Sequence, residues 1–314
     1  MIPLAPGRCP VCPPDAPRTP VAAGRDFEYG TCPDEFSVVR CEPCGTLFLD
    51  PRPADEAIAS LYPPEYEPYH FDTLPAPVRW GRDLVQRGKV KVVERCAAPG
   101  ARIVDLGCGG GALLRLLRRH GRPDWSLVGW DFPGPHLDRL AAEGFTVLQG
   151  PVEPGRLEDA SVDLVILNQV IEHFARPDEV LRVVARVLKP GGTVLIETPD
   201  VEGLDARLFR GRYWGGYHFP RHLVLFHRHS LAKLLERTGF EPVATESLPS
   251  PAFWVQSFHH AASERAGLRH LTPLFRLRNP LAVAAATAID LLWMHVAPTS
   301  NLRMIGRKLP APPP

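Results

Sequence analysis

Three groups of residues in this 314-residue chain have types and spacings that can do chemistry. The first is Asp105-Leu106-Gly107-Cys108-Gly109-Gly110-Gly111, which ends an apolar run and leads into the leucine-rich stretch Ala112 to Arg119. An acid and a glycine turn between a strand and a helix present bare amides at the helix N-terminus, with no Cβ between them and a ligand. The second is a pair of knuckles, Cys9-Pro10-Val11-Cys12 and Cys41-Glu42-Pro43-Cys44. Two residues between cysteines let both thiolates face one ion, and four such sulfurs make a closed, structural zinc site at Cys9, Cys12, Cys41 and Cys44. Cys32 could compete as a ligand. The third is the aromatic and histidine-rich segment Tyr213 to Phe226, which contains Tyr217, His218 and His222. Histidine can take a proton from an acceptor near neutral pH.

The glycine loop alone is ambiguous, because Gly107 to Ala112 also satisfies the dinucleotide pattern and Asp131 follows at a suitable distance. Asp105 separates the two readings. At a strand end it would repel a pyrophosphate and hold an ammonium, and S-adenosylmethionine (SAM) carries an ammonium, a sulfonium and a ribose without any phosphate. The second strand, Ser126 to Asp131, also ends in an acid, where an open parallel sheet binds its ligands.

At these residues the sequence resembles the class I SAM-dependent methyltransferases. Two further segments strengthen the resemblance: Asn168-Gln169-Val170-Ile171-Glu172-His173 after the apolar run Val162 to Leu167, and Leu188-Lys189-Pro190-Gly191-Gly192 before Thr193 to Pro199. The resemblance implies an α/β fold with a seven-stranded, mostly parallel Rossmann-like sheet. It implies that Asp105, Gly107, Cys108, Gly109 and Gly111 hold the methionine part of SAM and that Asp131 takes the ribose hydroxyls. Phe132, Val152 or Glu153, Asn168 and Gln169 would surround the adenine, with His173 grouped among these cofactor residues. The Pro220-Arg221-His222-Leu223 segment is similar to that of methyltransferases with a zinc-binding N-terminus, some of which act on nucleotide-linked sugars and others in polysaccharide or natural-product pathways. This makes His218 and His222 the candidate general bases, with Tyr217 and Glu172 beside them facing the acceptor.

The elements that must position these groups are readable from pattern. Residues 1–50 are expected as a zinc ribbon, 51–78 as a linker rich in proline and tyrosine, and 79–309 as the methyltransferase domain with a helical insertion at about 250–300; 310–314 is expected to be disordered. Helices are expected from Val78 to Cys96, near 135–143, from Pro177 to Val187 and from Ser230 to Thr238, and Leu302 to Lys308 as an antiparallel seventh strand. Tyr62, Tyr66 and Tyr69 could line a substrate mouth or pack the linker onto the large domain.

Composition narrows the partners. Lys+Arg of 36 against Asp+Glu of 35 gives no global field that would draw nucleic acid, and DNA is not an expected partner, since the segment after Asn168 lacks the motif of base amino-methylation. No charged and apolar leader opens the chain, and the seven cysteines with their paired spacing suit a reducing compartment, so a cytoplasmic location is expected. The apolar stretch Pro280 to His295 is short for a bilayer and interrupted by Asp290, so no stable membrane insertion is expected. A buried helix or one that forms a homodimer is expected there. The partner is a small-molecule acceptor methylated at O, N or C, a sugar or natural-product intermediate. The alternatives are a lipid-like or quinone-like acceptor, or a zinc-ribbon binding module whose SAM-binding domain does not turn over.

Overall fold

A computed structural model describes residues 1–64, 66, 69 and 76–310, with the backbone alone for 76–85. The expected tail beyond Pro310 and positions 65, 67, 68 and 70–75 of the expected linker lie outside the described residues. The N-terminal strands are β1 (Leu4–Ala5), β2 (Arg18–Arg25), β3 (Glu35–Cys41), β4 (Leu47–Leu49) and β5 (Arg52–Pro53). They are followed by α1 (Ala76–Cys96), β6 (Arg102–Leu106), α2 (Ala112–His120), β7 (Ser126–Asp131), α3 (Pro135–Ala142), β8 (Thr146–Gln149), β9 (Val162–Asn168), α4 (Pro177–Val187) and β10 (Leu188–Pro199). The remaining elements are α5 (Leu204–Leu208), β11 (Val224–Leu225), α6 (Arg228–Arg237), β12 (Phe240–Ser247), α7 (Pro251–Glu264), α8 (Pro280–Trp293) and β13 (Asn301–Lys308).

The large sheet has the order β12-β13-β10-β9-β6-β7-β8, and β13 alone runs antiparallel to its neighbours. Its central strands are apolar on both faces because both faces are covered. Ile103, Leu164, Ile166 and Leu195 pack under α1 and α2 with Val93, Leu113 and Leu117, whereas Val104, Leu106, Val165, Leu167 and Ile196 face the opposite core. The sheet is therefore the seven-stranded, mostly parallel one expected. Strand order reverses beside β6, which has β9 on one side and β7 on the other, so a crevice opens at their C-terminal ends. One local difference concerns Lys189 to Gly192. The sequence reads it as a turn, but it runs within β10 as an irregular stretch, with a register shift between Leu188 and Thr193 and Gly191 at φ +75°.

The cysteine-bearing residues do not stand apart from this body. A second sheet has the order β11-β4-β3-β2, so two residues from beyond the large sheet's β10 form its edge. Leu49 N also donates to the Leu223 carbonyl (3.0 Å). The apolar side chains of this sheet, Phe36, Val38, Leu47 and Phe48, join the same core cluster as Leu106, Leu167 and Phe226.

In the insertion, α7 and α8 pair through Trp254, Val255 and Ala286. Asp290, which interrupts the apolar run, is buried and accepts hydrogen bonds from Trp254 Nε1 (2.8 Å) and from the Ser250 amide and hydroxyl. Burial is confined to one face of α8, since Leu281 and Leu292 are 79% and 75% exposed. Among the described residues no helix is long and apolar enough to cross a membrane.

Candidate functional site

The glycine loop is held by short bonds to β7. Gly107 N donates to the Trp130 carbonyl (2.7 Å), and Gly109 N to Asp131 Oδ2 (2.6 Å). Gly107, Gly109 and Gly111 all take positive φ, between 50° and 75°. The missing Cβ atoms serve packing as well: a Cβ at Gly107 would stand 2.4 Å from Val170 Cγ2, and one at Gly111 the same distance from Leu140 Cδ1. Space that the sequence assigns to a ligand is thus occupied in part by the protein's own side chains. Cys108 likewise turns its thiol into a small cluster with Leu114, Leu137 and Leu140.

A cavity of about 2020 Å³ opens above this loop. It is about twice the upper end of the ordinary ligand pocket. One end is lined by Asp105, Gly107, Cys108, Gly109, Asp131, Phe132, Val152, Glu153, Asn168 and Gln169, so these candidate cofactor residues share one space. Asp105 is almost fully buried there. Burial, with the nearby Asp131 charge, pushes its carboxyl up to about 7, and the Lys89 cation opposes the shift. Burial also raises Asp131, whose Oδ1 accepts from the Phe132 amide (2.7 Å). Two crowded, desolvated acids suit a cationic ligand with a diol, as the ammonium, sulfonium and ribose of SAM supply, and do not suit a pyrophosphate. Asn168 Oδ1 accepts from Lys89 Nζ (2.8 Å), and Gln169 Nε2 donates to Asn301 Oδ1 (2.9 Å).

The other end is a wall of histidine and tyrosine. The rings of His218 and His173 lie 4.9 and 4.7 Å from that of His222. Tyr62 and Tyr66 pack edge to face beside them, Tyr66 against Tyr69, and all three tyrosines line the cavity. His173 therefore sits on this wall, with its Nδ1 2.9 Å from the Tyr62 hydroxyl, whereas the sequence groups it with the cofactor residues. His173 is the last residue of a short 3-10 turn (Ile171–His173) that carries the ring away from the end of β9.

His218 is the most elaborated group of the wall. Its Nδ1 is 2.7 Å from Glu28 Oε1, and Glu28 Oε2 accepts from Gln256 Nε2 of α7 (3.1 Å). Burial would raise Glu28, but the charge and hydrogen bond of His218 outweigh it and hold the carboxyl below its ordinary value. The backbone of His218 is left-handed, at φ +38°, a conformation that costs a non-glycine residue about 1–3 kcal/mol and persists only where the surroundings impose it. Those surroundings include Arg221, buried and bidentate to Asp26 (3.1 and 2.8 Å), with its Nε on the Leu61 carbonyl (2.7 Å). One ion pair thus ties the His218 loop to the segment after β2 that carries Glu28.

The other predicted groups divide. His222 is buried, donates from Nδ1 to the Gly216 carbonyl (2.8 Å), and is held well below its ordinary pKa by burial and then by His173 and His218. Burial, then His218, lowers His173 to about 3. Glu172 is fully buried; burial raises it to about 8, its Oε2 accepts from the Thr198 hydroxyl (2.9 Å), and its Oε1 has no hydrogen-bond partner. Glu172 and Tyr217, both expected to face the acceptor, are not among the residues lining the cavity; the Tyr217 ring packs on Trp214 and Phe219, and its hydroxyl donates to the Arg210 carbonyl. Glu28, Gln256 and Lys89 were not legible as site residues, because no spacing links them to the motifs they meet.

The sulfur atoms of Cys9, Cys12, Cys41 and Cys44 lie within 4.8 Å of one another, with Cys9 and Cys44 at 3.4 Å. Cys32 is buried outside this group. The amides of Val11 and Cys12 donate to Cys9 Sγ (both 3.4 Å), as amides of a knuckle do toward a thiolate. A hydrogen bond from Cys9 and bonds at Thr46 hold Cys44 down to about 4, whereas burial and Cys44 push Cys12 up to about 12. Four thiols in this geometry could hold a tetrahedral metal ion. The knuckle is fastened to the start of α6, since His227 Nε2 lies 3.0 Å from the Cys44 carbonyl.

A family model described as a methyltransferase domain matches residues 81–245. The ubiquinone biosynthesis O-methyltransferase of Xanthomonas campestris is 33% identical over 125 residues, which cover 34% of this chain and 46% of that protein. A probable S-adenosylmethionine-dependent methyltransferase of Mycolicibacterium smegmatis is 28% identical over 213 residues, 66% of this chain and 74% of the relative. The chain thus spans less than half the length of the Xanthomonas relative. Among solved structures, the Burkholderia thailandensis 1,6-didemethyltoxoflavin-N1-methyltransferase with bound S-adenosylhomocysteine superposes with a TM-score of 0.51 at 16% identity, over 90% of this chain and 99% of that one. That likeness is one of fold.

Proposed function

The chain belongs to the methyltransferase-domain family of class I, SAM-dependent enzymes, and on that premise we propose that it methylates a hydroxyl of a small-molecule acceptor, a nucleotide-linked sugar or a phenolic natural product. The observation that carries this reading is the continuity of one cavity from Asp105 and Asp131 to the His218–Glu28 pair. When bound, SAM supplies a methyl group on a positively charged sulfur, a good leaving group that departs as the new bond to the acceptor oxygen forms.

The protein's own work is binding, alignment and proton removal. Asp105 would hold the ammonium, and Asp131, whose two oxygens each accept one backbone amide, keeps a lone pair on each for the ribose diol. Glu28 fixes the Nδ1 proton of His218, which leaves Nε2 to take the hydroxyl proton of the acceptor, and the resulting imidazolium is stabilised by the carboxylate behind it. The acceptor is aligned between Tyr62, Tyr66 and the insertion, whose Phe253, Gln256 and Phe275 cover the cavity and keep out water. Arg276 and Arg278 at the same mouth suit an acceptor with an anionic arm, such as a sugar on a diphosphate. The four-cysteine cluster holds a structural zinc that fixes the segment bearing Glu28.

A lipid-like or quinone-like acceptor is the second reading, favoured by the name of the Xanthomonas relative and by the exposed leucines of α8. Titration with SAM, followed by a turnover screen against nucleotide sugars, phenols and short-chain quinols, tests both. Methylation of quinols alone would replace the first reading, and absence of SAM binding would overturn the enzymatic one.

A further inference from the structure

The histidine wall contains a second cluster that proton transfer by His218 does not use. Glu172, His173 and His222 each offer one ligand atom, and the three atoms lie within 4.8 Å of one another. Two donors at about 2.1 Å from a common ion stand about 3–4 Å apart, so a small closing movement is all that such an ion requires.

The hydrogen bonding around the cluster leaves acceptors facing acceptors. His222 donates from Nδ1 to the Gly216 carbonyl, so its Nε2 is a bare lone pair, 3.9 Å from Glu172 Oε1. Glu172 Oε1 is itself buried and without a partner, although Oε2 of the same carboxyl is bonded to Thr198. His173 has Nδ1 engaged with Tyr62 and its ring also meets the Arg221 backbone, so the nitrogen it would offer an ion is one now held by a weaker partner. A ring nitrogen fixed by a carbonyl or hydroxyl behind it, with the other nitrogen aimed at a shared point, is the arrangement by which proteins orient metal-ligating histidines. A buried carboxylate oxygen with no donor is costly unless something positive meets it.

We propose that Glu172, His173 and His222 bind one divalent transition-metal ion at the acceptor end of the cavity. Two imidazoles and one carboxylate suit manganese, iron, cobalt or zinc better than magnesium, whose preference is for oxygen. Both histidines line the cavity, so the open coordination positions face the acceptor, and the ion would hold its oxygen and favour the deprotonated form that His218 produces. This rests on the acceptor site lying at the histidine wall. It is a different metal from that of the cysteine cluster, which presents sulfur only.

The test is a manganese titration of the full chain, read by the paramagnetic resonance signal of free Mn²⁺, with zinc content measured on the same samples. Wild-type protein is expected to take up one Mn²⁺ per chain without losing ribbon zinc, and Glu172→Gln to bind it at least about 10-fold more weakly. His173→Ala serves as a second variant should the first not fold. SAM titration runs in parallel and is expected to be unchanged in the folded variants, which separates the metal claim from the methyltransferase reading. No saturable uptake by wild type, or equal uptake by both variants, would overturn the site.

Discussion

Glu28 Oε1 and His218 Nδ1 lie 2.7 Å apart, although they stand 190 positions apart in the chain, and the pair joins the cysteine-bearing segment to the loop that carries His218. Glu28→Gln should therefore lower turnover by about 10²-fold, the low end of what a positioned acid–base group contributes. SAM affinity should not change. A variant that turns over at the wild-type rate would remove Glu28 from the mechanism.

The cysteine cluster is expected to act on the same pair from a distance. Cys41→Ser, or chelation of about one zinc per chain, should free the segment after β2 and abolish acceptor turnover while the large sheet and SAM binding persist. Metal analysis, circular dichroism and SAM calorimetry on one preparation check this. Full turnover by zinc-free protein would show that the ribbon does not position Glu28.

Asp105 gives a pH signature. Burial and then Asp131 raise its folded-state pKa from 3.8 to about 7. Its contribution to the stability of the ligand-free protein is therefore full below about pH 4 and is lost as pH rises through about 7. If the SAM ammonium pairs with the ionised form it offsets that loss, so the gain in Tm on adding SAM should grow between pH 5 and 8. The same gain at every pH, in wild type and Asp105→Asn alike, would place the ammonium elsewhere.

Asp131→Ala should weaken SAM binding by about 1.5–3 kcal/mol, the range for hydrogen bonds to a charged acceptor. It also removes the anchors of the Gly109 and Phe132 amides. Restoration of affinity by Glu but not by Asn at this position would identify charge with reach as the requirement; unchanged affinity in the alanine variant would exclude the ribose contact.

Gly107→Ala tests packing of the loop. The added methyl meets Val170 at 2.4 Å while φ is +74°, so the variant should lose stability by about 1–3 kcal/mol in denaturant titration. Shortening the neighbour as well, with Val170→Ala, should return part of that loss, because the clash is with one side chain.

The acids and glycines around β6 and β7, the succession of strands along the chain and the two cysteine knuckles were legible in the sequence because each is a local pattern. A buried parallel strand must be apolar on both faces, a glycine turn must follow where the backbone takes positive φ, and a knuckle needs its two thiols three positions apart. The place of Tyr217 was not legible. An aromatic residue beside two histidines reads as part of their site, yet its hydroxyl satisfies the Arg210 carbonyl, and only packing against Trp214 decides that. His173 follows the same rule, since a three-residue turn after β9 determines which end of the cavity its ring reaches.

The sequence by itself determined the family, the sheet and the chemistry offered to a sulfonium cofactor, since these rest on contiguous motifs whose physics is local. Only the tertiary structure decided what stands opposite that cofactor. Glu28, Tyr62, His173, His218 and His222 come from stretches far apart in the chain, and what unites them is the docking of β11 on β4 and the buried Arg221–Asp26 pair. Contacts of that kind depend on which surfaces are apolar and close enough to exclude water, a property of the folded packing that no spacing along the chain encodes.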